Sequence, residues 1–307
     1  MKTMKTPAVA VVALALAAVA PSLASAQGRP PGPTKGGIGA TVPYKTAQEE
    51  YEALKVRAHG GDKLAAADLP DWSGVWTLGN GFVSFDPSLK RDDPQYGPLS
   101  KDNQAFYEKT LENVKRGVEW DQLSYCLPAG YPRWLSEPFL RDFALTPKVA
   151  FLTTEQNSEV RRVYTDGRGH VPEADAFPLW EGDSIGFWAG KGERATLVVW
   201  TNHIKAGDYH RSGPRYNDNA ETVEQWTKID DNTIVDEVTM YDPVGLTRPW
   251  HVSRRYDRVT TPGSRIDYWS CAENNNVVKT AEGATDFVLP GEKGYKDPDK
   301  LNKPPTP

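Results

Sequence analysis

Cysteine is nearly absent: Cys126 and Cys271 are the only two in 307 residues, beside three methionines and five histidines. That count leaves room for at most one bridge, which an even number favours in an oxidising compartment; two separately buried thiols are the alternative. Closing so long a loop would stabilise the fold by about 4–5 kcal/mol in the chain-entropy model. No Gly-rich phosphate cradle and no haem or flavin motif occurs, so no cofactor is expected. There is also no Lys/Arg run. With 36 basic against 41 acidic residues the chain is mildly acidic, which removes the electrostatic reason to bind nucleic acid or anionic lipid. No segment beyond the N-terminal stretch approaches about 18 uninterrupted apolar residues, so no membrane-spanning helix is expected there.

What is present begins with Lys2 and Lys5, an apolar run from Ala8 to Ala20, and Ala24-Ser25-Ala26 before Gln27. This is the order of a secretory signal peptide over residues 1–26, with cleavage expected after Ala26. The apolar run is too short to span a membrane, and without a cysteine at the cleavage site no lipid anchor is expected. Loss of the two lysines takes the formal charge from −5 to −7. The mature chain is expected to be exported, periplasmic or secreted. From Gln27 to Pro43 it is rich in Gly and Pro and too poor in apolar residues to order itself. Lys45 to His59 places Tyr51, Leu54 and Ala58 on one helical face before Gly60-Gly61. Residues 27–70 are thus expected as a flexible leader and a helix.

Residues 71–281 read as a mainly β domain. β-Branched and aromatic residues recur between turn-forming clusters at Asp71–Leu78, Ala150–Glu155, Val160–Thr165, Ser184–Ala189, Thr196–Thr201, Trp250–Val259 and Ile266–Trp269. Thr222–Ile229 and Thr233–Tyr241 form the clearest hairpin, turning at Asp230-Asp231-Asn232. The stretch from Phe151 to Trp200 reads as a meander of four strands. Ser100 can cap a second helix running to Arg116, and the three prolines between Leu127 and Phe139 demand irregular backbone. Gly74, between Trp72 and Trp76, suits a place where another segment crosses closely. The tail over 282–307 is expected to be disordered. So many sequential strands with only two helices predict an antiparallel barrel, because closure removes exposed edges.

The strand faces carry the functional hint. Glu224, Trp226 and Lys228 share one side, and so do Trp250, Arg254, Tyr256 and Arg258, so a closed sheet must turn some charge inward. Buried charge is costly unless paired or hydrated. A polar-lined cavity rimmed by rings such as Trp188 would satisfy it; an open sheet with one solvated face is the alternative. Ten tryptophans and thirteen tyrosines suit stacking against ring-containing ligands, although core packing is their commoner use.

Three motifs bear on chemistry. Gly182-Asp183-Ser184-Ile185-Gly186 fits the pattern of a serine-hydrolase elbow, but that motif needs a strand, turn and helix, and here another strand follows. His203, Asp208 and His210 match no closed zinc site, so no metal is expected. Arg161 to His170 is the richest run. Alternation puts Arg162, Tyr164 and Asp166 together with Glu155 within reach; Arg162 could hold a polar substrate, and a carboxylate beside His170 could serve as an acid–base pair. An ion-pair network that fastens a hairpin accounts for the same residues.

These residues carry a resemblance. Trp72-Ser73-Gly74-Val75-Trp76, Arg161 to Arg168, Gly182 to Trp188, Thr196 to Val199, Asp242-Pro243 and Pro249-Trp250 are similar to the pattern of a group of exported, uncharacterised bacterial proteins. It spans about Trp72 to Arg258, departing at Gly192-Glu193-Arg194-Ala195. The resemblance implies a lipocalin-like barrel, supported by Gly74-Val75-Trp76, and no assured activity. The expected function is binding of a small ring-containing molecule, phenolics and terpenoids among the classes, through Arg162, Tyr164, Trp188, Trp226, Arg254 and Tyr256. The alternative is a cofactor-free lyase or isomerase with His170 or His203 as base and Asp166 or Glu237 as partner.

Overall fold

The computed structural model describes residues 44–79, 84–269, 271, 276–281 and 285–296. The expected signal peptide, the leader up to Pro43 and residues 297–307 lie outside the described residues. Helix α1 (Ala47–Arg57) opens on Thr46, whose hydroxyl accepts the Glu49 N–H, and its acidic first turn and basic last turn both complement the helix dipole. Helix α2 (Lys101–Lys115) opens on Ser100 in the same way.

Nine strands close into a barrel among the described residues. In chain order they are β1 (Val75–Leu78), β2 (Arg141–Leu145), β3 (Val149–Thr154), β4 (Val160–Tyr164), β5 (Asp183–Ala189), β6 (Thr196–Asn202), β9 (Glu221–Asp230), β10 (Thr233–Tyr241) and β11 (Trp250–Arg258). Two short hairpins, β7 (Gly207–Asp208) with β8 (Arg215–Tyr216) and β12 (Val277–Lys279) with β13 (Thr285–Phe287), lie outside the barrel. The strand order is β1, β11, β10, β9, β6, β5, β4, β3, β2, and β1 pairs with β2 to close it.

The structure departs from the sequence expectations in four places. β4 and β5 pair in parallel, through Val163 with Ser184 and Tyr164 with Ile185, so the expected meander contains one crossover. Residues 165–182 supply the dozen or more residues a parallel connection needs. β2 is a strand that sequence alone leaves hidden, because Pro138 and Pro147 flank it. Ile266–Trp269 is not a strand; Trp269 instead stacks on Phe139, with ring centroids 5.2 Å apart. Part of the expected disordered tail is ordered, since β13 pairs with β12.

The barrel interior is ring-filled. Trp226 lies flat on Tyr256 at 5.3 Å, and Trp72 meets Trp188 at 5.7 Å and Phe143 at 6.1 Å. Gly74 suits its backbone, at φ +102° in a region that L side chains rarely adopt, and the Arg258 guanidinium passes over this position and covers the Trp76 ring at 4.3 Å. One end is plugged by Tyr131, Trp134 and Leu135 from the Pro-rich segment, with the Tyr131 hydroxyl 2.7 Å from Thr222 Oγ1. Trp72 fills the other end, where Lys228 Nζ donates to Asp71 O at 2.9 Å. Cys126 and Cys271 are disulfide-bonded, 5.3 Å apart at Cα, and so anchor the start of the plug segment to the far end of the chain. Helix α1 covers the outside of β5, β6, β9 and β10, with Tyr51 and Leu54 packed against Phe187, Val198 and Val223.

Candidate functional site

Alternation places Arg161 inside the barrel and Arg162 outside, because the two are consecutive on one strand. Arg161 grips Glu224 with both Nη groups, Nη1 to Oε1 at 2.9 Å. Its Nε donates to Ser184 Oγ at 3.1 Å, and its guanidinium lies 3.8 Å from the Tyr131 ring centroid. Burial alone works against its charge, but Glu224 beside it holds its pKa above the ordinary arginine value. Asp236, fully buried beside Glu224, is pushed well above the ordinary carboxylate value by burial and by that neighbouring carboxylate. A second acid pair sits under the plug. Glu159 accepts the N–H groups of Ala129 and Gly130 at 2.7 and 3.2 Å, and burial next to Glu159 raises Glu181.

Trp188, Trp226, Arg254 and Tyr256 all face inward, as their strand faces predict, but they are packed rather than arrayed around a hollow. Trp226 Nε1 donates to Glu224, Arg254 Nη1 to Ser84 O at 2.9 Å, and Tyr256 OH to Leu135 O at 3.3 Å. Arg254 is satisfied by backbone carbonyls of Ser84 and Phe85, and Tyr256 by the plug. The hydrolase-like motif lies at a strand start: Ser184 is the second residue of β5, turned inward and held by Arg161 and Thr201.

Arg162 is exposed, and Asp166 belongs to a surface turn. Its carboxylate takes three hydrogen bonds from the Arg168 side chain, which hold its pKa down at about 2. Arg168 in turn lies 4.1 Å from the Tyr164 ring centroid. Asp166 is thus committed to Arg168 and is not the partner of His170. Glu155 accepts the Asp267 N–H and does not reach Arg162. His203 faces exposed Glu173 at 3.9 Å. Glu237 lies on the outer wall, 3.0 Å from His251 Nε2 and 3.1 Å from Ser253 Oγ.

The histidine that finds a carboxylate beside a cavity is His170, and the carboxylate is Asp183. Its Nδ1 lies 2.8 Å from Asp183 Oδ2, which also accepts the Val171 N–H at 2.9 Å. Burial works to raise Asp183, but these hydrogen bonds outweigh it and hold its pKa below the ordinary carboxylate value. In the tautomer where Nδ1 donates to Asp183, the neutral ring has its lone pair on Nε2; Nε2 is itself buried and has no hydrogen-bond partner among the described residues. The His170 ring stands edge-on to Trp200, with centroids 4.5 Å apart. His170 lines an outer cleft of about 420 Å³ between α1, residues 60–63, the 165–170 loop and the outside of β5 and β6. Tyr51, Phe187 and Trp200 supply its rings, Lys55, Lys63 and Arg168 its cations, and Glu52 and Asp62 its carboxylates. Gly61 lets the backbone press on Phe187, where a Cβ would come within 2.8 Å of the ring.

Sequence reasoning found His170 but missed Asp183, which was hidden inside the hydrolase-like motif. The available signal was alternation: beside an inward Ser184, Asp183 has to face out. No group of three or more His, Cys, Asp or Glu side chains is placed to hold a metal ion, and no helix is long and apolar enough to cross a membrane, among the described residues. No protein-family model matches the chain, and no curated protein is significantly similar to it.

Proposed function

We propose that this is an exported small-molecule-binding β-barrel whose ligand, a ring-containing compound of the phenolic or terpenoid type, occupies the outer cleft beside His170. The observation that carries the reading is the coincidence of a cavity of ligand size, three aromatic rings and a hydrogen-bonded histidine–carboxylate pair. Flat ligand rings gain stacking energy against Tyr51, Phe187 and Trp200, and the mixed lining of Lys55, Lys63 and Arg168 with Glu52 and Asp62 suits a neutral ligand bearing hydroxyl oxygen. Export is supported by the N-terminal pattern and by the disulfide, which persists in oxidising compartments. The resemblance to exported bacterial barrels belongs to the same proposal.

The His170–Asp183 geometry favours a second reading, catalysis by a cofactor-free lyase or isomerase. Asp183 fixes the tautomer that leaves His170 Nε2 as general base; it would take a proton from a carbon acid in the cleft and return it elsewhere on the same molecule or to the leaving group. A thermal-shift screen of the Gln27–Pro307 protein against phenolics, terpenoids, steroids and sugars tests both readings, with Trp200→Leu and His170→Ala in parallel. A hit weakened by Trp200→Leu places the ligand in the cleft. A hit that the parent converts and His170→Ala only binds establishes the enzyme. Hits indifferent to both substitutions would sink the cleft assignment.

A further inference from the structure

We propose a second small-molecule site, separate from the His170 cleft, that recognises a ring-bearing monocarboxylate between α2 and the β7–β8 hairpin. A cavity of about 380 Å³ opens there, walled by Phe106, Val118 and Trp120 and bearing Asp208, Arg215 and Lys279. The Trp120 ring is braced from behind by Tyr125, with centroids 6.5 Å apart and planes 23° from parallel.

Arg215 is set up as an anion fork. Its backbone is pinned to the start of α2, donating its N–H to Asn103 Oδ1 at 3.0 Å while its carbonyl accepts from Asn103 Nδ2 at 2.7 Å. Its side chain is 57% exposed, with the guanidinium 4.1 Å from the Phe106 ring centroid and Nε donating to buried Asp208 Oδ1 at 3.2 Å. The two Nη groups make no hydrogen bond among the described residues, and a planar fork held this way matches a carboxylate bidentately. The charge count points to a single negative charge: Arg215 and Lys279 are positive, and Asp208 offsets one of them. Nearby Glu119 is already bound by Arg91 and Arg211. The apolar walls ask for a ring or chain behind the carboxylate, which disfavours a bare inorganic anion.

Phenylacetate and its neutral amide, phenylacetamide, are the test pair, titrated calorimetrically into the parent at neutral pH. The expected result is saturable binding of phenylacetate with a dissociation constant of about 0.1–1 mM and at least about tenfold weaker binding of the amide. Arg215→Met keeps the apolar stem over Phe106 and removes the fork; it should cost about tenfold or more for the acid and leave the amide unchanged. Trp120→Leu should weaken both ligands, and His170→Ala should weaken neither. The proposal fails if phenylacetate shows no saturation below about 10 mM, if acid and amide bind alike, or if Arg215→Met binds as the parent does. Loss of phenylacetate binding in His170→Ala would move the anion to the other cleft and overturn this assignment.

Discussion

Asp183 and Ser184 are neighbours on β5, yet they belong to different regions. Ser184 turns inward to Arg161, which is paired with Glu224 at essentially zero exposure; Asp183 turns outward to His170, beside a cavity. Inside, the ion pair between β4 and β9 sits among rings and takes further partners from Ser184 of β5, Thr201 of β6 and Tyr131 of the plug, so its work is to make a polar interior tolerable. Outside, the pair is about one-tenth exposed and leaves one imidazole nitrogen unengaged. The same two kinds of group hold the fold together on one side of the sheet and offer chemistry on the other. What separates the two pairs is that Arg161 and Glu224 are hydrogen-bonded at every side-chain polar atom, whereas His170 keeps Nε2 without a partner.

Breaking the inner pair should give the largest effect. Arg161→Met leaves the buried Glu224 without its cation and should destabilise by about 3–5 kcal/mol, while Arg161→Met with Glu224→Leu should recover most of that loss. Urea unfolding of the single and double variants checks it; a single variant as stable as the parent would contradict the assignment. Removing the disulfide with Cys126→Ser and Cys271→Ser should cost about 2–4 kcal/mol, because the bridge tethers the segment that plugs the barrel. Ligand binding in the outer cleft should survive it.

Two aspartates outside the interior should respond to pH with opposite signs. Burial raises Asp208 to about 6, so the folded state holds a proton that the unfolded state has released, and stability falls as pH rises from about 4 to 6. Asp208→Asn should therefore gain relative to the parent between about pH 4 and pH 7, by about 2–3 kcal/mol. Asp183 is depressed, so its contribution is present above the ordinary carboxylate pKa and lost as pH falls through its folded value. Asp183→Asn should accordingly cost about 1–2 kcal/mol at neutral pH and nothing in strong acid. Denaturation midpoints of both variants across the acid range read out the two signs. His170→Ala should change stability least, by under about 1 kcal/mol, while reducing ligand affinity in the cleft. A loss of several kcal/mol there would make His170 a structural residue like Arg161.

Strand alternation made much of this legible. Glu224 and Trp226, and Arg254 with Tyr256, were readable as shared faces because a strand's side-chain period is two whatever surrounds it. The helix limits were readable to within two residues from the helical spacing of Tyr51, Leu54 and Ala58, the Gly60-Gly61 stop and the Ser100 cap. β2 was not, since its flanking prolines mimic a loop, and Ile266–Trp269 was over-read because strand propensity does not guarantee a partner. The contrast between Arg161 and Arg162 shows the limit most sharply: sequence says the two must point opposite ways and says nothing about which way is in.

By itself, then, the sequence determined most element types and the strand faces that carry charge, since these follow from local propensity and periodicity, and it left a closed barrel and an open sheet as alternatives. Tertiary structure alone decided that β5 runs parallel to β4, that a Pro-rich segment fills the barrel end, and that the cavity beside His170 lies outside the wall. Those outcomes depend on which distant groups meet, with Glu224 reaching Arg161 across 63 residues, and that information is absent from any local window of the chain.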